Sequence, residues 1–178
     1  MDKTRACCFS GHRSVHFDMD FSHMGYVFQG VLKKAIQQAI ADGYRFFYGG
    51  LARGFDIIAA EVVIKEKYSR NDVDLTIISV APFRGHELKW GQPWRERHDA
   101  VLKASEIQVL NDRFIQGCYH ERNRHMVDNS SRLIGFYSGK SGGTKHTFDY
   151  ARDRGIDIVN IWDEVQWLDP MRTKNGHL

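Results

Sequence analysis

The stretch YHERNRHMVDNSSRLIGFYSGKSGGTKHTFDYA, Tyr119–Ala151, passes from a charged helix start through a short apolar strand to a glycine pair that opens another helix. Met126 and Val127 sit among the hydrogen-bonding side chains of Glu121–Asp128, and Arg132–Tyr137 is apolar and aromatic, as a buried strand is. Gly139, Gly142 and Gly143 then precede Thr144, and Thr144–Arg154 has helical character. A glycine-rich turn between strand and helix lets backbone N–H groups approach an anion, and the helix dipole favours negative charge there. A phosphate fits such a turn, which is also an ordinary way to leave a strand.

Outward from this stretch, the strand–glycine–helix order recurs. Ala6–Phe9 predicts a first buried strand ending in Ser10-Gly11-His12-Arg13, where Gly11 permits close approach to a phosphate or ribose. Asp20-Phe21-Ser22 leads into a helix over Met24–Ala41, with Val27, Val31, Leu32, Ala35 and Ile36 at helical spacing and Asp42-Gly43 as its stop. Tyr44–Tyr48 predicts the second strand, followed by Gly49-Gly50-Leu51-Ala52-Arg53-Gly54-Phe55-Asp56 and a helix over Ile57–Tyr68. This run is neither the GxGxxG dinucleotide fingerprint nor a Lys-bearing P-loop, yet it occupies the same context. Asp56 either caps that helix or holds a ribose hydroxyl.

Val73–Ala81 predicts the third strand, Glu96–Ala104 a helix and Ile107–Leu110 the fourth strand. Between them Trp90 and Trp94 read either as a lid packed on the body or as a stacking surface for a base. After the central stretch, Ile156–Ile161 predicts a sixth strand, Trp162–Leu168 packs on, and Asp169–Leu178 is a frayed tail. Alternation of strands and helices implies an α/β fold, a parallel central sheet with helices on both faces. Ligands of such sheets bind outside the carboxyl ends of the strands, the edge that carries the Ser10-Gly11, Gly49-Gly50 and Gly142-Gly143 turns.

At 178 residues, 42% hydrophobic and 26% charged, the composition is that of a soluble single domain with a sizeable core. No apolar run approaches the roughly 20 residues of a membrane span, and Met1–Arg5 lacks a signal-peptide core. These features point to a cytoplasmic protein without a membrane partner. Cys7 and Cys8 face opposite ways along a strand, and the three cysteines read as reduced thiols, with Cys118 either reactive or an ordinary small thiol. The net charge of +3 is too modest to signal nucleic acid by itself. Residues 119–154 carry seven Lys/Arg against four Asp/Glu, so the remainder of the chain is neutral overall, which suits one local anionic ligand. His120 and His125 are five apart rather than the four that pair histidines on one helical face. No cysteine pair has zinc spacing, so no metal is expected, and no GxSxG elbow marks a Ser or Cys nucleophile.

Together, SGHR (10–13), GGLARGFDIIAAE (49–61), ERNRHMVDNSSRLIGFY (121–137) and SGGTKHTFDYA (141–151) resemble the YpsA-like branch of the SLOG superfamily, over about residues 5–162. The resemblance implies a Rossmann-like fold in one domain over residues 1–178. It also implies a nucleotide or ADP-ribose-like ligand, bound by a sensor or regulatory protein, with no other cofactor. In this reading Gly49, Gly50, Gly54, Ser141, Gly142, Gly143 and Thr144, with Ser10 and Gly11, cradle the phosphate. Arg13, Arg122 and Arg124 neutralise it, because guanidinium forks match phosphate oxygens. Asp56 and Asn123 fix ribose or base. The plain alternative for Arg122 and Arg124 is a surface ion pair with Glu121 or Asp128.

Two relatives in the superfamily offer other functions. LOG phosphoribohydrolases carry Arg-Lys-x-x-Met and Pro-Gly-Gly-x-Gly-Thr-x-Glu. Here Arg122-Asn123-x-x-Met126 has Asn for Lys, and Gly142-Gly143 is followed by Thr144-Lys145-His146, without the second Gly-Thr pair or the catalytic Glu. Nucleotide hydrolysis or N-glycosidase activity is therefore the alternative, with Glu61 and Glu121 as candidates for activating water. DprA, which loads recombinase on single-stranded DNA, shares an Arg-Asn-Arg like residues 122–124 and a Ser-Gly turn like 141–142. The near-neutral remainder of the chain argues against a long electropositive track, which makes nucleic acid the second alternative. A homo-oligomer remains open.

Overall fold

The computed structural model describes residues 2–12, 24–70 and 72–168. Arg13, the Asp20-Phe21-Ser22 lead-in and the Asp169–Leu178 tail lie outside them.

Six strands form one sheet: β1 (Ala6–Gly11), β2 (Phe46–Gly49), β3 (Thr76–Ala81), β4 (Glu106–Val109), β5 (Arg132–Phe136) and β6 (Asp157–Asn160). Their order is β4-β3-β2-β1-β5-β6, and every neighbouring pair is parallel. The helices are α1 (Met24–Ala41), α2 (Phe55–Ser69), α3 (Gln92–Lys103), α4 (Cys118–Asp128), α5 (Gly143–Asp153) and α6 (Trp162–Trp167). Fully parallel pairing requires a crossover between strands, and these helices supply it. The Rossmann-like α/β fold expected from the sequence is the one observed.

The pleat divides the core in two. On one face Cys7, Phe9, Phe47 and Ile77 pack with Leu32 and Ile36 of α1, Ile57 and Val63 of α2, Val101 of α3 and Val165 of α6. On the other, Ala6, Cys8, Tyr48, Ile78 and Leu133 pack with Met126 and Val127 of α4 and with Phe148 and Ala151 of α5. Cys7 and Cys8 thus face opposite layers. Burial raises both thiols above their ordinary range, Cys8 to about 12, which leaves neither as a thiolate near neutral pH. Cys118 is buried as well.

Two boundaries shift what the sequence suggests about the site. Ser10 and Gly11 belong to β1, paired with Gly135 and Phe136 of β5, rather than to a turn. Helix α4 begins at Cys118, so Arg122 lies inside the helix and not at its start. Among the described residues no helix is long and apolar enough to cross a membrane.

Candidate functional site

The strand order reverses direction at β1, whose neighbours lead one way to β4 and the other way to β6. Crossovers therefore leave on opposite faces beside β1 and β5, and a crevice opens at their carboxyl ends. A cavity of about 510 Å³ lies there, within the usual range for small-molecule sites. It is lined by Ser10, Gly11 and His12 from β1 and its end, by Ala52 and Asp56, by Tyr119, His120, Arg122 and Asn123 of α4, and by Lys140–Thr144 with His146.

The loop between β5 and α5 is fixed from three sides. Tyr137 N–H donates to Asn160 Oδ1 at 3.0 Å, while Asn160 Nδ2 donates to Tyr137 O at 2.9 Å. Ser138 N–H donates to His12 Nε2 at 3.0 Å, so that nitrogen is an acceptor and the neutral ring carries its proton on Nδ1. Thr144 Oγ1 donates to Gly11 O at 3.1 Å, tying the first turn of α5 to β1. Beyond these anchors Gly142 and Gly143 are open: a Cβ built on either meets nothing within 4 Å. Gly142 has φ 139°, a conformation that favours glycine, and as N-cap it brings no side chain to the helix start. The first N–H groups of a helix lack intrahelical partners, so the N-terminus of α5 offers this cavity donors and the positive end of a dipole.

The other glycine turn is spent on the protein itself. A Cβ on Gly50 would collide with the Arg122 guanidinium, which donates to the Gly50 carbonyl and lies 3.4 Å from Asp56 Oδ2. Phe55 N–H, at the first turn of α2, donates to His12 O at 3.3 Å. Gly54 is needed there because its φ is 96°. Asp56 is buried against Arg122, and the first N–H of the helix it belongs to is taken by the His12 carbonyl.

Nine of the residues singled out in the sequence gather around the cavity: Ser10, Gly11, Asp56, Arg122, Asn123, Ser141, Gly142, Gly143 and Thr144. Asn123 Nδ2 donates to Thr147 Oγ1 at 2.7 Å, which joins α4 to α5. Arg124 lines an adjoining hollow of about 300 Å³ that shares His120, Asn123 and His146 with the cavity. Its guanidinium lies 6.0 Å from the Tyr150 ring, and neither Glu121 nor Asp128 pairs with it at ion-pair distance. The same hollow holds Asp149, whose carboxyl is kept below its ordinary range first by Lys145 and then by Arg152. Gly49 and Gly54 line neither space.

The candidate carboxylates fall elsewhere. Glu61 accepts two hydrogen bonds from Arg97, at 2.7 and 2.6 Å, and bridges α2 to α3. Glu121 is exposed and accepts from Asn111 Nδ2 at 3.0 Å. Trp90 and Trp94 are half-buried against the core, with Arg97 4.5 Å from the Trp94 ring, so they pack as part of the body and leave the cavity to other rings. Tyr119, Lys140 and His146 also line the cavity, and no sequence motif marks them. His120 and His146 come within 5.0 Å, ring centre to ring centre, across the crevice. His125, by contrast, ties α4 to β4 through Gln108 at 2.8 Å. Beside the cavity His86 is held below its ordinary range, chiefly by burial and then by the neighbouring His98.

Comparison with known proteins agrees with this architecture. The family model of the YspA SLOG family (YpsA) matches residues 7–156. A UPF0398 protein of Halalkalibacterium halodurans is 27% identical over 141 residues, covering 75% of this chain and 72% of that protein. Among solved structures, DNA processing protein A (DprA) from Streptococcus pneumoniae superposes with a TM-score of 0.59 at 16% identity, over 88% of this chain and 50% of its own. The chain thus spans about half the length of that protein. DNA processing protein A from Helicobacter pylori, described for its single-stranded DNA binding mode, gives a TM-score of 0.59 at 15% identity, over 99% of this chain and 83% of its own. At these identities the two structures speak for the fold alone. The matched span carries all the segments named above as lining the cavity, and the chain belongs to the YspA SLOG family.

Proposed function

We propose that the protein binds a nucleotide or nucleotide-derived phosphate ligand in the crevice between β1 and β5, and acts as a ligand-responsive protein. The observation that carries this reading is the N-terminus of α5 at the cavity, with Gly142 and Gly143 unobstructed and Lys140 beside them. Backbone N–H groups there take the phosphate, and Lys140 supplies charge. Tyr119, His120 and His146 offer rings to a base. Arg122 serves as a wall that shapes the cavity, its charge balanced by Asp56. Among the described residues lining the cavity Asp56 is also the one carboxylate, and that pairing disfavours it as a general base. Binding without turnover is therefore preferred to hydrolysis, and Glu61 and Glu121 are not favoured as catalytic groups.

A second reading is single-stranded nucleic acid. What favours it is the run of two hollows that share His120, Asn123 and His146 and extend from Lys140 to Arg124, together with the DNA-binding description of a protein of like fold. A thermal-shift screen against mononucleotides, NAD, ADP-ribose, inorganic phosphate and a single-stranded oligonucleotide separates the readings. A nucleotide at about 100 times its Kd is expected to raise Tm by roughly 5–10 °C. Recovery of that nucleotide intact after long incubation supports binding, whereas release of ribose 5-phosphate or free base establishes the hydrolase. A shift with the oligonucleotide alone replaces the first reading with the second.

A further inference from the structure

Three side chains that the nucleotide reading does not use converge between β3 and α3. His86 and Glu87 follow the carboxyl end of β3, and His98 lies on α3. One donor atom from each, two imidazole nitrogens and a carboxylate oxygen, lie within 4.8 Å of one another. His98 is only 2% exposed. Its Nδ1 is 3.1 Å from Asp99 Oδ1. Among the described residues its Nε2 is buried without a hydrogen-bond partner. A carboxylate on Nδ1 fixes the Nδ1–H tautomer and leaves the lone pair on Nε2, as in the carboxylate–histidine pairs behind bound metals. A buried ring nitrogen with no partner calls for an explanation, and a cation supplies one.

The rest of the donor set is consistent with this. Glu87 Oε2 lies 3.4 Å from His86 Nδ1. His86 has a carbonyl near each nitrogen, Phe83 O at 3.2 Å from Nδ1 and Leu51 O at 3.4 Å from Nε2, so whichever nitrogen ligates, the other keeps its proton on a backbone acceptor. All three residues line one hollow of about 210 Å³. We propose that His86, Glu87 and His98 form a divalent transition-metal site of the zinc class, with a fourth position open to that hollow. Two imidazoles and one carboxylate suit zinc, whereas calcium and magnesium take all-oxygen sets. Donors on a tetrahedral zinc stand roughly 3.4 Å apart, so a small adjustment of these side chains closes the set. The sequence hid the site because eleven residues and a change of element separate Glu87's neighbour His86 from His98.

The test uses the whole chain, stripped with a chelator and titrated with ZnCl2 alone. Trp90 stands edge-on to both imidazoles, at 5.5 and 5.6 Å, and its fluorescence reports occupancy. One equivalent of zinc is expected, and CoCl2 in its place is expected to give the intense visible bands of four-coordinate Co²⁺. Glu87→Gln preserves volume at a partly exposed position, so folding is retained, and it is expected to weaken zinc more than the roughly 10–100-fold that loss of an outer-shell partner costs. Asp99→Asn, which removes such a partner, is expected to fall within that range. Absence of stoichiometric zinc binding by the parent protein overturns the proposal. So does an unchanged affinity and Co²⁺ spectrum in Glu87→Gln, which assigns the binding to other histidines.

Discussion

Arg122 fills the space that a Cβ on Gly50 would need, and its charge faces Asp56 inside the molecule. Its neighbourhood in sequence, an arginine beside asparagine and a second arginine, reads as a phosphate clamp because local pattern does not reveal a partner 66 residues away. Truncating one member of a buried ion pair leaves the other uncompensated, so Arg122→Ala is expected to destabilise the protein by about 3–5 kcal/mol in urea unfolding. The double variant Arg122→Met with Asp56→Leu is expected to recover much of that loss, since an apolar pair of similar volume replaces a desolvated one. A ligand affinity that falls in Arg122→Ala without loss of stability would return this residue to the phosphate. The glycines separate the same way. A Cβ on Gly11 would overlap the Phe55 ring, and one on Gly143 would meet open space. Gly11→Ala is accordingly expected to cost about 1–3 kcal/mol through overpacking. Gly143→Ala is expected to leave Tm unchanged or slightly raised, while weakening a phosphate ligand that needs close approach to the backbone.

At the scale of elements, the strands were legible because short apolar runs bounded by glycine and polar turns have few other uses in an α/β chain. Arg132–Phe136 and Thr76–Ala81 lie within the expected spans, and α1 occupies the expected residues. What the sequence withheld was which helix start opens on the cavity. Both α2 and α5 follow glycines, yet α2 is closed by Asp56, Arg122 and the His12 carbonyl, all contacts made in the folded chain. Tyr119 and His146 were likewise invisible, because one ring tells nothing until α4 and α5 are packed together.

The junction at the start of β5 can be tested through its charges. Arg132 pairs with Asp42 beyond α1 at 2.5 Å and with Asp157 of β6 at 2.6 Å, and stacks over Tyr44 at 4.6 Å. The Arg132 hydrogen bond holds the Asp42 carboxyl below its ordinary range. A depressed carboxylate binds its proton more readily in the unfolded chain, so its contribution is complete above the unfolded pKa of about 3.9 and is lost as pH falls through the folded value. Chemical unfolding measured from pH 6 down to about pH 3 is expected to show stability declining below about pH 4, and Arg132→Met is expected to flatten that decline. An identical slope in the variant would remove the Arg132 junction as its source.

For the whole molecule, the distribution of charge decides between a compact anion and a long polyanion. The net charge is +3, and among the described residues the cations lining the two joined hollows are Lys140, Arg122 and Arg124, with Arg122 facing Asp56. Asp149 and Asp153 line the far hollow and oppose a phosphate backbone running past Arg124. Each phosphate neutralised on a single strand contributes about −0.7 to the slope of log K against log salt, so two cations imply a slope no steeper than about −1.5. Fluorescence anisotropy with a labelled oligonucleotide, repeated from low to moderate salt, measures it. A shallow slope, with competition by a mononucleotide, is expected if the strand merely places one phosphate at the α5 N-terminus. A slope steeper than about −3 requires four or more phosphate contacts. That number exceeds what the described residues of the hollows provide, so the track would have to draw on cations beyond them, and the protein would be a nucleic-acid binder whose crevice is only one station along it.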